Sequence, residues 1–129
     1  MDQLSQEEAA EAYATAWNRL DATAFLGLLA ETARYASQWV IEDLENRAAI
    51  SDYLVQKLET IRESGVQVHA ELGATTLGGP ARPCVCMFQG DKLEMKAVVL
   101  FEVGSGQVQR LDICIPGLYE PRRTGVYPT

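Results

Sequence analysis

The fold is decided by the stretch PCVCMFQGDKLEMKAVVLFEVGSGQVQRLDICI, which spans Pro83–Ile115. Turns at Gly90-Asp91 and Gly104–Gly106 divide it into segments whose alternating side chains are typical of β-hairpins. Pro116 ends the last segment, because proline has no N–H to donate to a sheet. The pattern predicts three consecutive antiparallel strands, at about Pro83–Gln89, Lys92–Val103 and Gln107–Ile115.

The two turns also determine which side chains share a face, since successive residues of a strand point to opposite sides. A two-residue first turn places Cys86 opposite Met95, and a three-residue loop at the second turn places Val99 opposite Leu111. One face then becomes almost purely apolar, and we expect helices to cover it. Its members are Cys84, Cys86, Phe88, Leu93, Met95, Ala97, Val99, Phe101, Leu111 and Ile113.

Three helices are predicted in the N-terminal half of the chain. Ser5 and Glu8 form a capping box at the start of the first helix. Asp21 caps a short second helix. The third is predicted over about Asn46–Ser64, and its apolar stripe contains a single polar residue, Lys57.

Two further strands precede the central three. In the first, Tyr35, Ser37 and Trp39 alternate onto the face that we expect the helices to cover. In the second, at about Val66–Leu72, the aliphatic positions are the natural inward ones. His69 and Glu71 then point to solvent.

Together these elements predict an α+β fold with three N-terminal helices packed on one face of a curved, mainly antiparallel sheet. Residues 1–116 form this domain. Residues 117–129 have no periodic pattern, and we interpret them as an arm or a frayed end.

Composition narrows the classes of function. The chain has 129 residues, is 47% hydrophobic and carries a net charge of −7, which disfavours nucleic acid and anionic membranes as partners. The first residues do not resemble a secretory signal, and no apolar run reaches the ~20 residues that cross a bilayer. The three cysteines suit free thiols in a reducing compartment. We therefore expect a cytoplasmic protein.

The other face of the predicted sheet mixes aliphatic and charged side chains. A monomer rarely leaves so many aliphatic groups in water, so we expect a homodimer to form through this face. The alternative is a half-solvated sheet face. The residues of the expected interface are Val85, Met87, Lys96, Val98, Leu100, Arg110 and Asp112.

Four pieces of sequence follow one another along nearly the whole chain: Ala12-Tyr13 with Trp17-Asn18 and Asp21, Phe25 with Leu28–Ser37, Asn46–Ile50 with Tyr53, and Gly106-Gln107-Val108. This ordered set resembles the nuclear-transport-factor-2-like (NTF2-like) superfamily, which includes ketosteroid isomerase and the SnoaL-like polyketide cyclases. The resemblance implies a cone-shaped, cystatin-like fold with a pocket, frequent homodimers and a wide range of functions.

The isomerase chemistry of this superfamily does not carry over residue by residue. Tyr13 matches the tyrosine of the oxyanion hole. The position of the proton-shuttling carboxylate falls on Ser37, and that of the second acid falls on Ala97. A serine without a neighbouring histidine cannot serve as the required base. Steroid isomerisation by the usual route is not expected.

The pocket implied by this fold has hydroxyl groups as its expected polar anchors, on Tyr13, Tyr35, Tyr53 and Ser37. We predict no metal and no cofactor. Cys84 and Cys86 resemble half of a thiolate metal site but suit small buried hydrophobic residues better. The predicted ligand-binding residues are Tyr13, Trp17, Tyr35, Ser37, Trp39, Tyr53, Cys86, Phe88, Met95, Ala97, Val99, Leu111 and Ile113.

The sequence is compatible with three functions. The favoured one is a module that binds a small, apolar molecule without turnover. The second is a SnoaL-like or dehydratase-like enzyme that uses a tyrosine or an inward His69–Glu71 pair as a proton relay. The third is a homodimeric assembly subunit whose pocket is filled by its own side chains. The sequence does not decide whether the protein is an enzyme.

Overall fold

The computed structural model describes residues 3–39, 42–77 and 79–129. A six-stranded sheet in the order β1-β5-β4-β3-β2-β6 carries the helices, with β1 parallel to β5 and the other neighbours antiparallel. The elements are α1 Gln6–Arg19, α2 Thr23–Leu26, β1 Leu29–Ser37, α3 Arg47–Ser64, β2 Val68–Thr75, β3 Arg82–Gln89, β4 Met95–Gly104, β5 Gln107–Cys114, α4 Pro116–Tyr119 and β6 Arg122–Arg123.

The predicted α+β class, with helices packed on a mainly antiparallel sheet, is confirmed. The description of three N-terminal helices was wrong in two respects. The long helix α3 follows the first strand, and a fourth short helix follows β5. No helix of the described residues is long and apolar enough to cross a bilayer.

The predicted capping box of α1 is confirmed by its hydrogen bonds. The Ser5 hydroxyl accepts from the Glu8 backbone N–H at 3.1 Å, and the Glu8 carboxylate accepts from the Ser5 N–H at 3.0 Å. The predicted cap of α2 was wrong, because Ala22 is at the N-cap, although the Asp21 carboxylate accepts from the Thr23 N–H at 3.0 Å.

Asn46 caps α3 by accepting from the Ala49 N–H at 2.8 Å. Gly65 ends that helix with a φ of 75°, a left-handed conformation that glycine adopts at little cost.

The predicted two-residue turn between β3 and β4 was wrong. The Asp91 carboxylate accepts from the N–H groups of Leu93 and Glu94, at 2.9 and 3.2 Å, and keeps these residues out of the sheet. The strand therefore begins at Met95, which pairs with Phe88, and the register shifts between Met87 and Phe88. Leu93, expected inside, is 88% exposed.

This longer turn reverses the two faces of β3 relative to the prediction. Val85 and Met87 pack into the main core beneath the helices. Cys84, Cys86 and Phe88 project to the opposite side instead. We call the side of the sheet that α1 and α3 cover the inner face, and the opposite side the outer face.

The second predicted turn was one residue too long, but its consequence for the faces is small. Gly104 pairs with Gln107, so the turn consists of Ser105 and Gly106 only, with φ values of 54° and 75°. Shortening the loop and a bulge before Val103 move the register by two residues, which preserves the parity. The residues of β4 and β5 that remain on the inner face as predicted are Ala97, Val99, Phe101, Leu111 and Ile113.

The C-terminal residues form an arm along the sheet and are not a frayed end. Arg123 and Arg122 pair with Gly73 and Ala74 of β2. Leu72 then exchanges backbone hydrogen bonds with the segment that follows, donating to the Val126 carbonyl at 2.9 Å and accepting from the Thr124 N–H at 3.2 Å.

Asn18 fastens the end of this arm to the first helix. Its side-chain amide donates to the carbonyls of Ala70 and Pro128, at 2.8 and 2.7 Å, and its carbonyl oxygen accepts from the Ala70 N–H at 2.8 Å. One side chain of α1 therefore holds both the edge strand β2 and the arm beside it.

Candidate functional site

A cavity of about 660 Å³ lies between the inner face of the sheet and helices α1 and α3. This volume is within the usual range for small-molecule sites, about 300–1,000 Å³. Trp39, which is 59% exposed, and the half-exposed Tyr53 and Val66 line its mouth. The cavity is therefore open to solvent.

Most of the residues predicted to bind ligand are brought together around this cavity. Those that line it are Tyr13, Trp17, Tyr35, Ser37, Trp39, Tyr53, Ala97, Val99 and Ile113. Phe88 also borders the cavity, although its side chain belongs to the outer face. Trp39 does so from the turn after β1, since the strand ends at Ser37.

Three predicted residues do not line the cavity. Cys86 lies on the outer face because β3 has the opposite parity to the one predicted. Met95 pairs with Phe88 and packs against the same outer-face residues. Leu111 is on the inner face but is fully buried in the core.

The sequence reasoning missed the residues that the second half of α3 and the adjacent strand ends contribute. Lys57 carried a usable signal, because it was the one polar residue in an apolar stripe. Met87 carried none, since its inward position follows from the longer turn. The missed lining residues are Glu42, Leu44, Lys57, Thr60, Ile61, Ser64, Val66, Val68, Met87, Gln89 and Lys96.

Three tyrosines supply the polar groups of the cavity. Tyr13 is buried between α1 and the sheet, with its ring edge-on to Phe25 and Phe101 at 5.1 and 5.4 Å between centroids. The rings of Tyr35 and Tyr53 are 5.3 Å apart. All three rings line the same space.

Burial keeps the phenols of Tyr13 and Tyr35 neutral. Desolvation raises the pKa of Tyr13 well above the usual value for tyrosine. The pKa of Tyr35 is also raised, first by burial and then by the neighbouring Tyr13 and Tyr53. At neutral pH both hydroxyls are protonated, so they can donate a hydrogen bond but cannot act as bases.

The carboxylate that lines the described part of the cavity, Glu42, is on an exposed residue. The lining contains no histidine or cysteine among the described residues. A general base with a pKa tuned by burial is therefore missing from this set.

His69 and Glu71 lie on the outer face, away from the cavity, as the alternation of β2 predicted. Their predicted exposure to solvent was wrong for Glu71, which is only 1% exposed. Its carboxylate accepts from Arg123 Nε at 2.5 Å and from the Gly125 N–H at 2.7 Å. His69 is half-buried, with its ring 6.4 Å from that of Tyr127. A His69–Glu71 relay facing the cavity is thereby contradicted.

The outer face carries a second apolar group, which we call the outer cluster: Cys84, Cys86, Phe88, Val98, Leu100 and Cys114. All three cysteines are buried free thiols, and all lie on this side of the sheet. The described residues contain no group of three or more histidine, cysteine, aspartate or glutamate side chains that could hold a metal ion.

The surface expected to form a homodimer is largely covered within one chain. Val85 and Met87 belong to the inner core. Val98 and Leu100 are buried in the outer cluster, which Tyr119 of α4 packs against. Arg110, Asp112 and Lys96 remain accessible, and Arg110 Nε is paired with Asp112 at 2.9 Å.

Comparison with known proteins identifies the fold. No family model matches the chain, and no curated protein matches it. Many solved structures do match. An NTF2-like protein of unknown function from Cytophaga hutchinsonii is 12% identical, with a TM-score of 0.59 over 90% of this chain and 95% of that one.

A SnoaL-like protein of unknown function from Burkholderia thailandensis is 15% identical, with a TM-score of 0.61 over 96% of this chain and all of the other. The chain has the NTF2-like fold. At these identities the resemblance read from the sequence is confirmed at the level of fold.

One of the similar solved structures is described as an enzyme. It is the epoxide hydrolase/cyclase-like SalBIII, which has a role in pyran-ring formation in the polyether salinomycin. SalBIII is 16% identical to this chain, with a TM-score of 0.59 over 85% of this chain and 89% of that one.

Proposed function

We propose that this NTF2-like domain binds a small, mostly apolar molecule that carries a hydrogen-bond acceptor, and releases it unchanged. One observation carries the proposal. The phenol groups of Tyr13, Tyr35 and Tyr53 are grouped in a cavity that offers no buried acid–base pair among the described residues, and burial keeps those of Tyr13 and Tyr35 neutral. Such groups recognise a carbonyl, ether or hydroxyl oxygen but do not remove a proton from carbon.

The walls of the cavity favour a flat or ring-shaped apolar body. Trp17, Trp39 and the tyrosines provide aromatic surfaces, while the small side chains of Ala97 and Val99 leave room above the floor of the cavity. Aromatic side chains lose few rotamers on binding and bury a large apolar area. A ligand of this shape gains most of its affinity from contact and its orientation from the phenols.

Binding can be tested with the neutral fluorophore N-phenyl-1-naphthylamine, whose emission rises in apolar surroundings. We expect saturable binding that Ala97→Phe abolishes, because the added ring occupies the floor of the cavity. Ala48→Phe is the matched control, since Ala48 is exposed on α3 and does not line the cavity. Equal binding by both variants and the wild type would refute the proposal.

Native mass spectrometry of protein purified without denaturant measures the mass of a natural ligand that co-purifies with it. Tyr53→Phe is expected to weaken binding of that ligand by about two- to ten-fold, as expected for one hydrogen bond. The half-exposed position of Tyr53 makes this substitution safer for folding than changes at Tyr13.

A SnoaL-like enzyme is the second candidate, and the similarity to SalBIII together with the clustered phenols favours it. In that case a tyrosine hydroxyl would donate a hydrogen bond to an oxygen atom of the substrate while a bond to that oxygen forms or breaks. Incubation of the isolated ligand with the protein in heavy water distinguishes binding alone from catalysis. A ligand that keeps its mass and structure supports binding alone, and a rearranged or deuterated product supports the enzyme.

Self-association through the outer face stays a proposal of its own. A groove there is lined by Leu77, Leu100 and Tyr119, and the nearby Leu118 of α4 is 68% exposed. Sedimentation equilibrium of the wild type and of Leu118→Lys tests it. Dimer dissociation by the variant supports the proposal, and a monomeric wild type contradicts it.

A further inference from the structure

The charges at the mouth of the cavity have the opposite balance to those of the whole chain. The chain carries a net charge of −7. The described lining nevertheless includes two cations, Lys57 and Lys96, and one anion, Glu42. An anion that approaches this mouth therefore meets less repulsion than the net charge of the chain suggests.

The two lysines reach the cavity from opposite walls. Lys57 lies on α3, between the buried positions Leu54 and Leu58, and Lys96 lies on β4 next to Ala97 of the floor. Both side chains are exposed. An aliphatic stem can follow an apolar wall while its ammonium group stays in water at the opening.

Neither ammonium group is committed to a strong internal partner. Lys57 forms no ion pair within the described part of the chain. Lys96 contacts Glu94 at 3.2 Å, but both groups are well exposed, and such pairs contribute little. An arriving anion therefore does not have to displace a buried salt bridge.

We propose that the ligand is an amphipathic carboxylate, with its ring system between the tyrosines and its negative group held at the mouth by Lys57 and Lys96. This inference rests on the proposed binding function and specifies its ligand class. The apolar cavity accepts the body of the molecule, and the lysine pair selects its charged end.

The test uses two competitors that share a ring system and differ in charge. 2-Naphthoate and 2-naphthylmethanol each displace N-phenyl-1-naphthylamine from the wild type, and we expect the carboxylate to bind about ten-fold more tightly. Each exposed ion pair contributes about a factor of three. Lys57→Gln and Lys96→Gln together should reduce the ratio of the two affinities to about one, and 0.5 M salt should reduce it in the same direction.

Lys92→Gln is the matched control. Its ammonium group lies 4.3 Å over the ring of Tyr127, outside the cavity lining, so the ratio should stay at its wild-type value. A ratio near one in the wild type, or a ratio unchanged by the double substitution, would overturn the inference while leaving the binding function intact. Failure of the neutral fluorophore itself to bind would instead reject the proposed function.

Discussion

The inner and outer faces of the sheet bury their apolar side chains in different ways. Helices α1 and α3 cover the inner face incompletely, and the space that remains is lined by aromatic rings and open to solvent. The outer cluster is covered by residues of the same chain, from α4 to the arm that pairs with β2. The comparison shows that a buried charge occurs where the chain itself supplies the partner, and that the open space has neutral phenols instead.

The buried charge of the outer face is Glu71. Arg123 binds it through Nε and also contacts the ring of Phe88, 4.4 Å from the guanidinium carbon, and the Tyr127 hydroxyl at 3.0 Å. The N–H of Gly125 adds a second donor to the carboxylate. A buried carboxylate is tolerated only with such a complete set of partners.

Removing that partner is expected to have the largest effect. Arg123→Ala should lower the free energy of unfolding by about 3 kcal/mol, near the low end for breaking a buried pair because Arg123 keeps some contact with water. Urea denaturation measures the change. Arg122→Ala is the control, since Arg122 is exposed and its side chain forms no ion pair among the described residues. Equal losses in the two variants would show that the arm is held by its backbone alone.

The neutral phenols of the inner face should make stability sensitive to alkali. Tyr13 and Tyr35 have a raised pKa in the folded protein, so above about pH 10 the unfolded chain loses protons that the folded chain keeps. Stability is then fully present below that pH and falls as the pH rises, by about 2 kcal/mol between pH 9 and 11.

Absorbance at 295 nm during a pH titration reports tyrosine ionisation directly. We expect the phenolates of Tyr13 and Tyr35 to appear only as the protein unfolds, while the Tyr35→Phe variant shows a correspondingly smaller late step. Simultaneous ionisation of all tyrosines in the folded protein would contradict the assignment of a raised pKa to the cavity tyrosines.

The close packing of the outer face should appear at Gly73. A Cβ at this position would lie 2.9 Å from both the Arg122 carbonyl oxygen and Cys86 Sγ. Gly73→Ala should therefore cost about 1.5 kcal/mol, as overpacking does. Adding Cys86→Ala should recover part of that loss. At Gly104, where the nearest atom would be 3.5 Å away, the same change should be tolerated.

A small substitution on the inner face should have the smallest effect on stability. Ala97→Val adds two methyl groups beside open space. We expect the free energy of unfolding, measured by thermal denaturation, to change by less than about 0.5 kcal/mol. A loss as large as that of Gly73→Ala would mean that the cavity is closed in solution, and the contrast between the two faces would then fail.

Local signals in the sequence were enough to predict helices α1 to α3 and the inward positions of Ala97, Val99, Phe101, Leu111 and Ile113. Ser5 caps its helix through short-range hydrogen bonds that a motif reveals. The face of β3 was not predictable in the same way. Its parity depends on the Asp91 side chain holding two N–H groups, and alternation cannot reveal the length of a turn built in that manner.

The partners of distant residues were also beyond the sequence pattern. Apolar residues on both faces of β3 fit either parity, because the arm and α4 bury the side that looked solvent-facing. The predicted residues that line the cavity come mainly from α1, β1 and β4, where periodicity is regular. Glu71 gave no sign of its partner, which is 52 residues further along.

That separation also sets an order of events on the ribosome. The carboxylate of Glu71 is made 52 residues before the guanidinium that neutralises it, and β2 and β3 leave the exit tunnel before β6. The nascent chain therefore passes through a stage in which three thiols and Phe88 have no cover. We expect chaperones that bind exposed apolar segments to engage this chain until Arg123 and the residues after it emerge.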